Sequence, residues 1–356
     1  MSNIWGNKIK YSIFGESHGN AIGIVIDGLK PGIELNLHNI ADEMKRRAPG
    51  TGKLVTARAE KDEFEILSGF FNGKTTGTSL CAIIRNSDTH SKDYEKTKDL
   101  LRPGHADFTG RVKFNGFNDY RGGGSFSGRL TASIVFAGSI AKDILRENNI
   151  IIGSHILSVK DIKDNNIDSL SINQETLDSL HSMDFPVLSS EKKALMEQTI
   201  IEAKEKMDSV GGVIECFALG VPAGLGEPFF NSFESSLSQL LFSIPAVKGV
   251  EFGLGFDITK LTGSESNDEF YIENETIKTY SNNNGGILGG ITSGMPIVFR
   301  AAIKPTPSIA KPQRTVDINK NENSTIEIKG RHDPCILPRA IPVVEAAAAM
   351  CILDFI

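Results

Sequence analysis

Three short segments place a histidine among glycine or proline and charge: GESHG (Gly15–Gly19), RPGHADFTG (Arg102–Gly110) and GRHDPC (Gly330–Cys335). Imidazole titrates near ~6.5, so a nearby anion holds it as an imidazolium ready to give up a proton. A single histidine in such company reads as a turn or cap residue; three together read as general acids or bases. GESHG also fits G-x-S-x-G, the pattern of a nucleophile elbow, which offers Ser17 as a nucleophile beside His18. A metal site is a third reading. It finds no support in spacing, because His18, His105 and His332 form neither H-x-x-x-H nor H-E-x-x-H. His38, His90, His155 and His181 stand in plainer surroundings and read as structural.

The cations gather in similar places. Arg46, Arg47, Lys53, Arg58, Arg102, Arg121, Arg129, Arg331 and Arg339 sit in or beside glycine- and proline-rich stretches. In a chain of net charge −6, that pattern points to a small anionic ligand and away from nucleic acid. RGGGSFSGR (121–129) runs into a helix at Leu130, and backbone N–H groups at a helix start, with serine hydroxyls and Arg129, make an anion cradle. NNNGGILGGITSG (282–294) and KPTPS (304–308) offer close backbone approach and rigid turns. None has the strand-to-helix G-x-G-x-x-G of a dinucleotide site.

The elements that must hold these residues follow from periodicity. IKYSIF and AIGIVIDG read as strands on either side of GESHG, which makes Ser17 part of a strand–turn–strand. A nucleophile elbow needs a helix after the serine, so the hydrolase reading is the weaker one. Residues 62–71 and 77–85 read as strands, as do 213–221, 248–256 and 296–304. Helices are expected at Asn39–Arg47, from Leu130 (apolar at 130, 134, 137, 141 and 144), at Glu191–Val210, at Phe233–Ile244 and from Pro342 to about Phe355. Asn86 to Ser127 shows little periodicity but is rich in glycine and aromatics, which marks a functional segment. Residues 160–193, the most polar stretch, read as a surface excursion. No linker or repeat divides the 356 residues, and strict β-α-β alternation is absent, so one α+β domain with antiparallel sheets, spanning 1–356, is expected.

Composition sets the class. Hydrophobic residues are 40% and charged residues 23%, the balance of a soluble globular protein. No apolar run is long enough to span a membrane, and the N-terminus lacks the apolar core of a signal peptide, so the cytoplasm is the expected compartment. Cys81, Cys216, Cys335 and Cys351 are scattered without C-x-x-C and read as reduced thiols.

GESHG, RRAPG, ILSGFFNGKTTGTS, NSDTHSKDY, RPGHAD, YRGGGSFSGR, PAVKGVEFGLGF, GGILGGITSG, KPTPS and GRHDPC occur in this order. On these motifs the chain resembles the chorismate synthase family from about residue 5 to 355. The resemblance implies anti-1,4-elimination of phosphate from 5-enolpyruvylshikimate 3-phosphate, with reduced FMN as an obligatory cofactor that is not consumed. It also implies a homotetramer of β-α-β sandwich protomers, with helices between antiparallel sheets.

Residue by residue, the resemblance makes His18 the proton donor to the departing phosphate. It gives His105 to the flavin around nitrogen 1 and Asp333 to proton acceptance at flavin nitrogen 5. Ser17 is then at most a hydrogen-bond partner of the substrate. Arg47, Arg102, Arg129, Arg331 and Arg339 become the anion-binding candidates, since guanidinium forks grip phosphate and carboxylate in two places. Lys53 stands where many members have arginine; it keeps the charge and loses the fork. A nicotinamide-nucleotide contact of some relatives maps to Arg47 and Lys53, yet the chain lacks a nucleotide-binding motif, so an outside flavin reductase is the expected source of reduced FMN. The FMN contacts carried over are Ser125, Phe126, Ser127, Pro245, Ala246, Gly289, Lys304, Pro305, Thr306, Pro307, Ser308 and Arg331. Two of these depart from the family pattern: GGGSFS puts Ser125 where many members have arginine or histidine, and Pro245 replaces a common asparagine. A flavin-binding module without turnover is the non-enzymatic alternative.

Overall fold

The computed structural model describes residues 3–48, 62–86, 98–328 and 333–356. Two five-stranded sheets enclose a layer of helices. The first runs in the order Ile4–Trp5, Lys10–Gly15, Ala21–Asp27, Leu80–Arg85, Phe64–Ser68; the second runs Val247–Phe252, Ile297–Ile303, Gly212–Leu219, Ile151–Val159, Ile162–Lys163. Neighbouring strands in both are antiparallel. The helix Thr131–Glu147 packs on both sheets, and the C-terminal helix Leu337–Phe355 packs on Thr131–Glu147 and on the second sheet. The chain is therefore α+β, with helices between antiparallel sheets.

A helix between two sheets has no solvent face, and the sequence of this layer shows it. Residues Thr131 to Ala141 and Ala340 to Asp354 are buried without a break, and the run Ala346–Ala349 replaces bulk with small side chains. Close approach is what the small residues allow. A Cβ added at Gly138 would lie 2.2 Å from the Ala346 Cβ, so the two helices touch backbone to backbone there.

The middle of the layer also holds charge. Glu345, fully buried, accepts from Arg46 (2.7 and 3.2 Å), Lys142 (2.7 Å) and Ser154 (2.9 Å), and Lys142 also reaches Glu43 at 2.8 Å. Glu43, Glu345 and His181 stand close enough to hold a metal ion. The space between the two carboxylates is, however, already bridged by the Lys142 ammonium and the Arg46 guanidinium. Burial alone raises a carboxyl pKa; here the two cations win and hold Glu345 well below the usual range.

Several boundaries differ from expectation. The last helix begins at Leu337, with Pro342 inside it; the missing proline N–H costs one backbone bond that a fully buried helix absorbs. The helix expected to Val210 ends at Glu205, where Met207 turns left-handed (φ +57°). The stretch 160–193 is not merely a surface excursion. Leu177, Leu180, Phe185 and Val187 are buried in it, and Asp164 meets the buried His155 at 3.2 Å. The irregular stretch before Ser127 contains a short helix, Asp107–Lys113. All four cysteines are unpaired, and no helix among the described residues is long and apolar enough to cross a membrane.

Candidate functional site

GESHG is a turn between paired strands, Lys10–Gly15 and Ala21–Asp27, with register from Lys10↔Asp27 to Gly15↔Ile22. No helix follows Ser17, so the geometry of a nucleophile elbow is absent. Ser17 and His18 are both buried, and Ser17 Oγ lies 3.1 Å from His18 Nδ1. The Ser17 hydroxyl donates to the Arg121 carbonyl (3.3 Å), and the Ser17 N–H donates to the Gly124 carbonyl (3.1 Å). GESHG is thus clasped by the glycine loop, more than a hundred residues downstream.

That loop is shaped by glycine. Gly122, Gly123 and Gly124 take φ of +59°, +100° and +53°, a left-handed path that L side chains resist. At Gly122 there is also no room: a Cβ there would lie 2.1 Å from His18 Cε1 and 2.2 Å from Nδ1. The loop then caps the turn Gly128–Leu130 that leads into the central helix. Ser127 Oγ accepts from the Arg129 N–H at 3.2 Å, so this hydroxyl is used as a cap. Phe126 is tilted against Phe114 and lies over Gly110, which joins the loop to the Asp107–Lys113 helix.

RPGHAD meets KPTPS. His105 Nε2 and Ser308 Oγ are 2.7 Å apart, Lys304 Nζ donates to the Gly104 carbonyl (2.7 Å), and Gly104 packs on Pro307. Arg102 is tied within its own segment, giving its backbone N–H, Nε and Nη2 to Asp107 at 2.9, 2.8 and 2.7 Å. Burial works to raise the Asp107 pKa, and the Arg102 hydrogen bonds and charge outweigh it. Lys304 also donates its N–H to the Ala246 carbonyl (2.9 Å), and Ser209 Oγ donates to the Thr306 carbonyl (2.6 Å). Ala246 stands at φ +78°, unusual for a residue with a Cβ.

A second series of contacts runs from the GESHG turn to Asp333. Asn86 donates to the Glu16 and Gly19 carbonyls (3.0 and 2.9 Å) and accepts from Arg129 Nε (3.1 Å). Arg129 and Arg47 both bond Asp62. Arg339 gives Nε to the Arg47 carbonyl (3.1 Å) and Nη1 to Asp333 (2.5 Å). Arg47 touches Thr131 as well (3.5 Å), so the N-terminal ends of both central helices lie here, and their dipoles favour an anion. Burial foremost, with Arg339 and Arg129 adding to it against Asp62, pushes the Arg47 guanidinium down to about 10, still charged at neutral pH.

The structure therefore brings together Ser17, His18, Arg47, Arg129, Asp333 and Arg339, and separately joins His105 to Lys304–Ser308 and Ala246. The two groups connect through Ser209 and Val210, whose N–H donates to the Pro334 carbonyl at 2.8 Å. Gly289 stands at the opposite end of a helix from Pro245 and Ala246. Its hairpin meets the start of the Phe233–Ser243 helix through Phe233 N–H to Gly290 O (2.8 Å), whereas Pro245 and Ala246 follow that helix's end. Eleven residues at 1.5 Å rise separate them by about 16 Å. Lys53, Arg58, His90, Arg331 and His332 lie outside the described residues. Asp62 and Asn86 were missed by the sequence reading, and Gly122 was read only as part of the 121–129 loop, not as the neighbour of His18.

Comparison with known proteins gives one answer. The family model described as chorismate synthase matches residues 9–356. A chorismate synthase of Methanothermobacter thermautotrophicus is 45% identical over 355 residues, covering 99% of this chain and 93% of the relative. One from Dehalococcoides mccartyi is 46% identical over 354 residues, covering 99% and 96%. A solved structure, "Crystal Structure of Chorismate Synthase", superposes with a TM-score of 0.76 at 32% identity, covering 98% of this chain and 92% of that one. The chain belongs to the chorismate synthase family.

Proposed function

We propose that the chain, acting as one unit, eliminates phosphate in the anti-1,4 sense from 5-enolpyruvylshikimate 3-phosphate to give chorismate. The family is one of carbon–oxygen lyases in aromatic amino acid biosynthesis, and it requires a flavin. The observation that carries the reading is the unbroken series of polar contacts from the GESHG turn that holds His18, through Asn86, Arg129, Asp62, Arg47 and Arg339, to Asp333. It sets a proton donor and three guanidiniums beside one another at two helix N-termini.

In this reading the arginines, with Lys53, Arg102 and Arg331, hold the substrate's phosphate and two carboxylates. Ser17 orients His18. With its hydrogen given to the Arg121 carbonyl, its oxygen accepts from Nδ1–H, so Nε2 is the nitrogen that passes a proton to the departing phosphate. Asp333, held by Arg339, assists removal of the substrate proton, and Ser308 fixes the ring of His105 at the cofactor's edge.

The residues fit a flavin. Thr306 Oγ1 is buried without a hydrogen-bond partner among the described residues, which suits a ligand's polar edge, and the left-handed Ala246 is local strain of the kind ligand clamps carry. Lys304–Ser308, Pro245–Ala246, Ser125–Ser127 and Arg331 would hold it as reduced FMN. Bound there, reduced FMN supplies electron density that weakens the allylic C–O bond without net redox change. The working form in this reading is a cytoplasmic homotetramer fed by an outside flavin reductase.

The test is anaerobic addition of substrate to the protein with reduced FMN. Chorismate formed over many turnovers per flavin is the expected result. Flavin binding without product would leave the non-catalytic module, and labelling of Ser17 by a fluorophosphonate would restore the hydrolase.

A further inference from the structure

Asp62 is the carboxylate on which two of the candidate anion-binding arginines converge. The side chains of Asp62, Arg47 and Arg129 are 1%, 3% and 5% exposed. Arg47 gives Nε (2.7 Å) and Nη2 to Asp62 Oδ2, and Arg129 gives Nη1 to Oδ1. Each oxygen thus serves a different guanidinium. The three groups come from three places: the last residue of the helix Leu37–Arg47, the turn Gly128–Leu130 and the entry to the strand Phe64–Ser68.

Two features argue against an ordinary structural ion pair. A buried ion pair is in itself weak evidence of stabilisation, and here one carboxylate bridges two guanidiniums brought from different segments. Asp62 also holds a positive φ of +30°, an unfavourable conformation for a residue with a Cβ, and such strain concentrates at binding sites. Arg129 is further fixed by Asn86 and by the Arg85 carbonyl (3.2 Å). The result is a pair of guanidiniums whose separation is set by one rigid carboxylate.

We infer that Asp62 is a positioning residue for substrate binding, holding Arg47 and Arg129 at the spacing that receives one anionic group, a phosphate or a carboxylate, of a small multiply charged substrate. The inference rests on the reading that these two arginines receive the substrate. Asp62 acts through the two arginines it holds, so its removal alters the grip on the ground state and the transition state alike.

The experiment is steady-state kinetics of the full protein with reduced FMN under anaerobic conditions, comparing wild type with Asp62→Asn and Asp62→Glu. Asp62→Asn keeps the shape, loses the charge and frees the guanidiniums to splay. It is expected to raise the substrate KM by about 10- to 100-fold, the effect of losing a charged positioning partner, with kcat within about threefold. Asp62→Glu keeps the charge and displaces it by one methylene; a KM rise of roughly 3- to 10-fold with a near-normal melting temperature is expected, and this variant decides the matter if Asp62→Asn does not fold. An unchanged KM in a folded variant, or a loss confined to kcat, overturns the inference. So does a KM that falls, since that would make Asp62 an internal competitor of the substrate. Wild-type protein that makes no chorismate overturns the proposed function, and this inference with it.

Discussion

Gly122→Ala tests whether His18 acts as a placed proton donor. A Cβ at residue 122 would lie 2.1 Å from His18 Cε1 and 2.9 Å from Ser17 Oγ. Carbon atoms rest at about 3.5–4.0 Å, so the imidazole must retreat by roughly 1.5 Å or the loop must move by as much. A displacement of about 1 Å in a catalytic group costs on the order of 10²-fold in rate, near 2.7 kcal/mol of barrier. The backbone adds its own penalty, about 1–2 kcal/mol for an L residue at φ +59°. Gly123→Ala separates the two effects. Its φ is +100°, also strained, but the nearest atom to its added Cβ is Ser127 Cβ at 3.7 Å, an ordinary contact. Both variants are therefore expected to melt a few degrees lower. Gly122→Ala should lose about 10²-fold in kcat with little change in KM, and Gly123→Ala should stay within about fivefold of wild type. Chorismate formation measured anaerobically, beside a thermal melt, reads both quantities. Equal kcat losses in the two variants, or a nearly normal Gly122→Ala, would refute the placement of His18 as the source of the effect.

Three further outcomes are expected. His105→Ala should cut turnover by roughly 10- to 10³-fold, and Ser308→Ala, which removes only the 2.7 Å contact to Nε2, should cut it less; a larger loss in Ser308→Ala than in His105→Ala would show that the serine acts on its own account. Burial lowers the His155 pKa, but the hydrogen bonds and charges of Asp164 and Glu215 win and raise it above its ordinary 6.5. The stability it adds is thus fully present below ~6.5 and lost as pH rises through the raised value, so the melting difference between wild type and His155→Gln should shrink on the alkaline side; a constant difference from about pH 6 to 9 would contradict this. Purified protein with FMN, substrate and NADPH in air should make almost no chorismate, and the same mixture made anaerobic with dithionite should turn over; sustained aerobic turnover with NADPH, free of contaminating reductase, would show an intrinsic reductase.

What the sequence revealed and what it hid divide along physical lines. Local alternation made the strand–turn–strand around GESHG legible, because Ile22, Ile24 and Ile26 alternate with their neighbours and Asp27-Gly28 ends the run. The clasp on His18 was not legible, since nothing near residue 18 announces Gly122. The arginines stood out by type, whereas their shared counter-charge did not: Asp62 is one acid among several in EKDEFE, and only the fold makes it buried. His155 read as structural. A histidine inside the apolar strand IIGSHILSV already implies buried polar partners, but Asp164 and Glu215 are named only by pairing of the strands. The polar stretch 160–193 misled for the same reason, its few apolar residues being those that pack. Gly289 was carried over by motif alone, and one helix separates it from Pro245 and Ala246.

The contact between Gly138 and Ala346 has a consequence for the chemistry. GESHG hangs from the first sheet and KPTPS from the second, while the two helices between the sheets meet at this point with only the Ala346 methyl group between them. Adding a methyl group at residue 138 would drive the two helices apart within their shared layer, and the anion-facing ends they carry, at Thr131 and at Arg339, would part with them. The tolerance of the site is in this sense machined into a glycine buried in the middle of the layer.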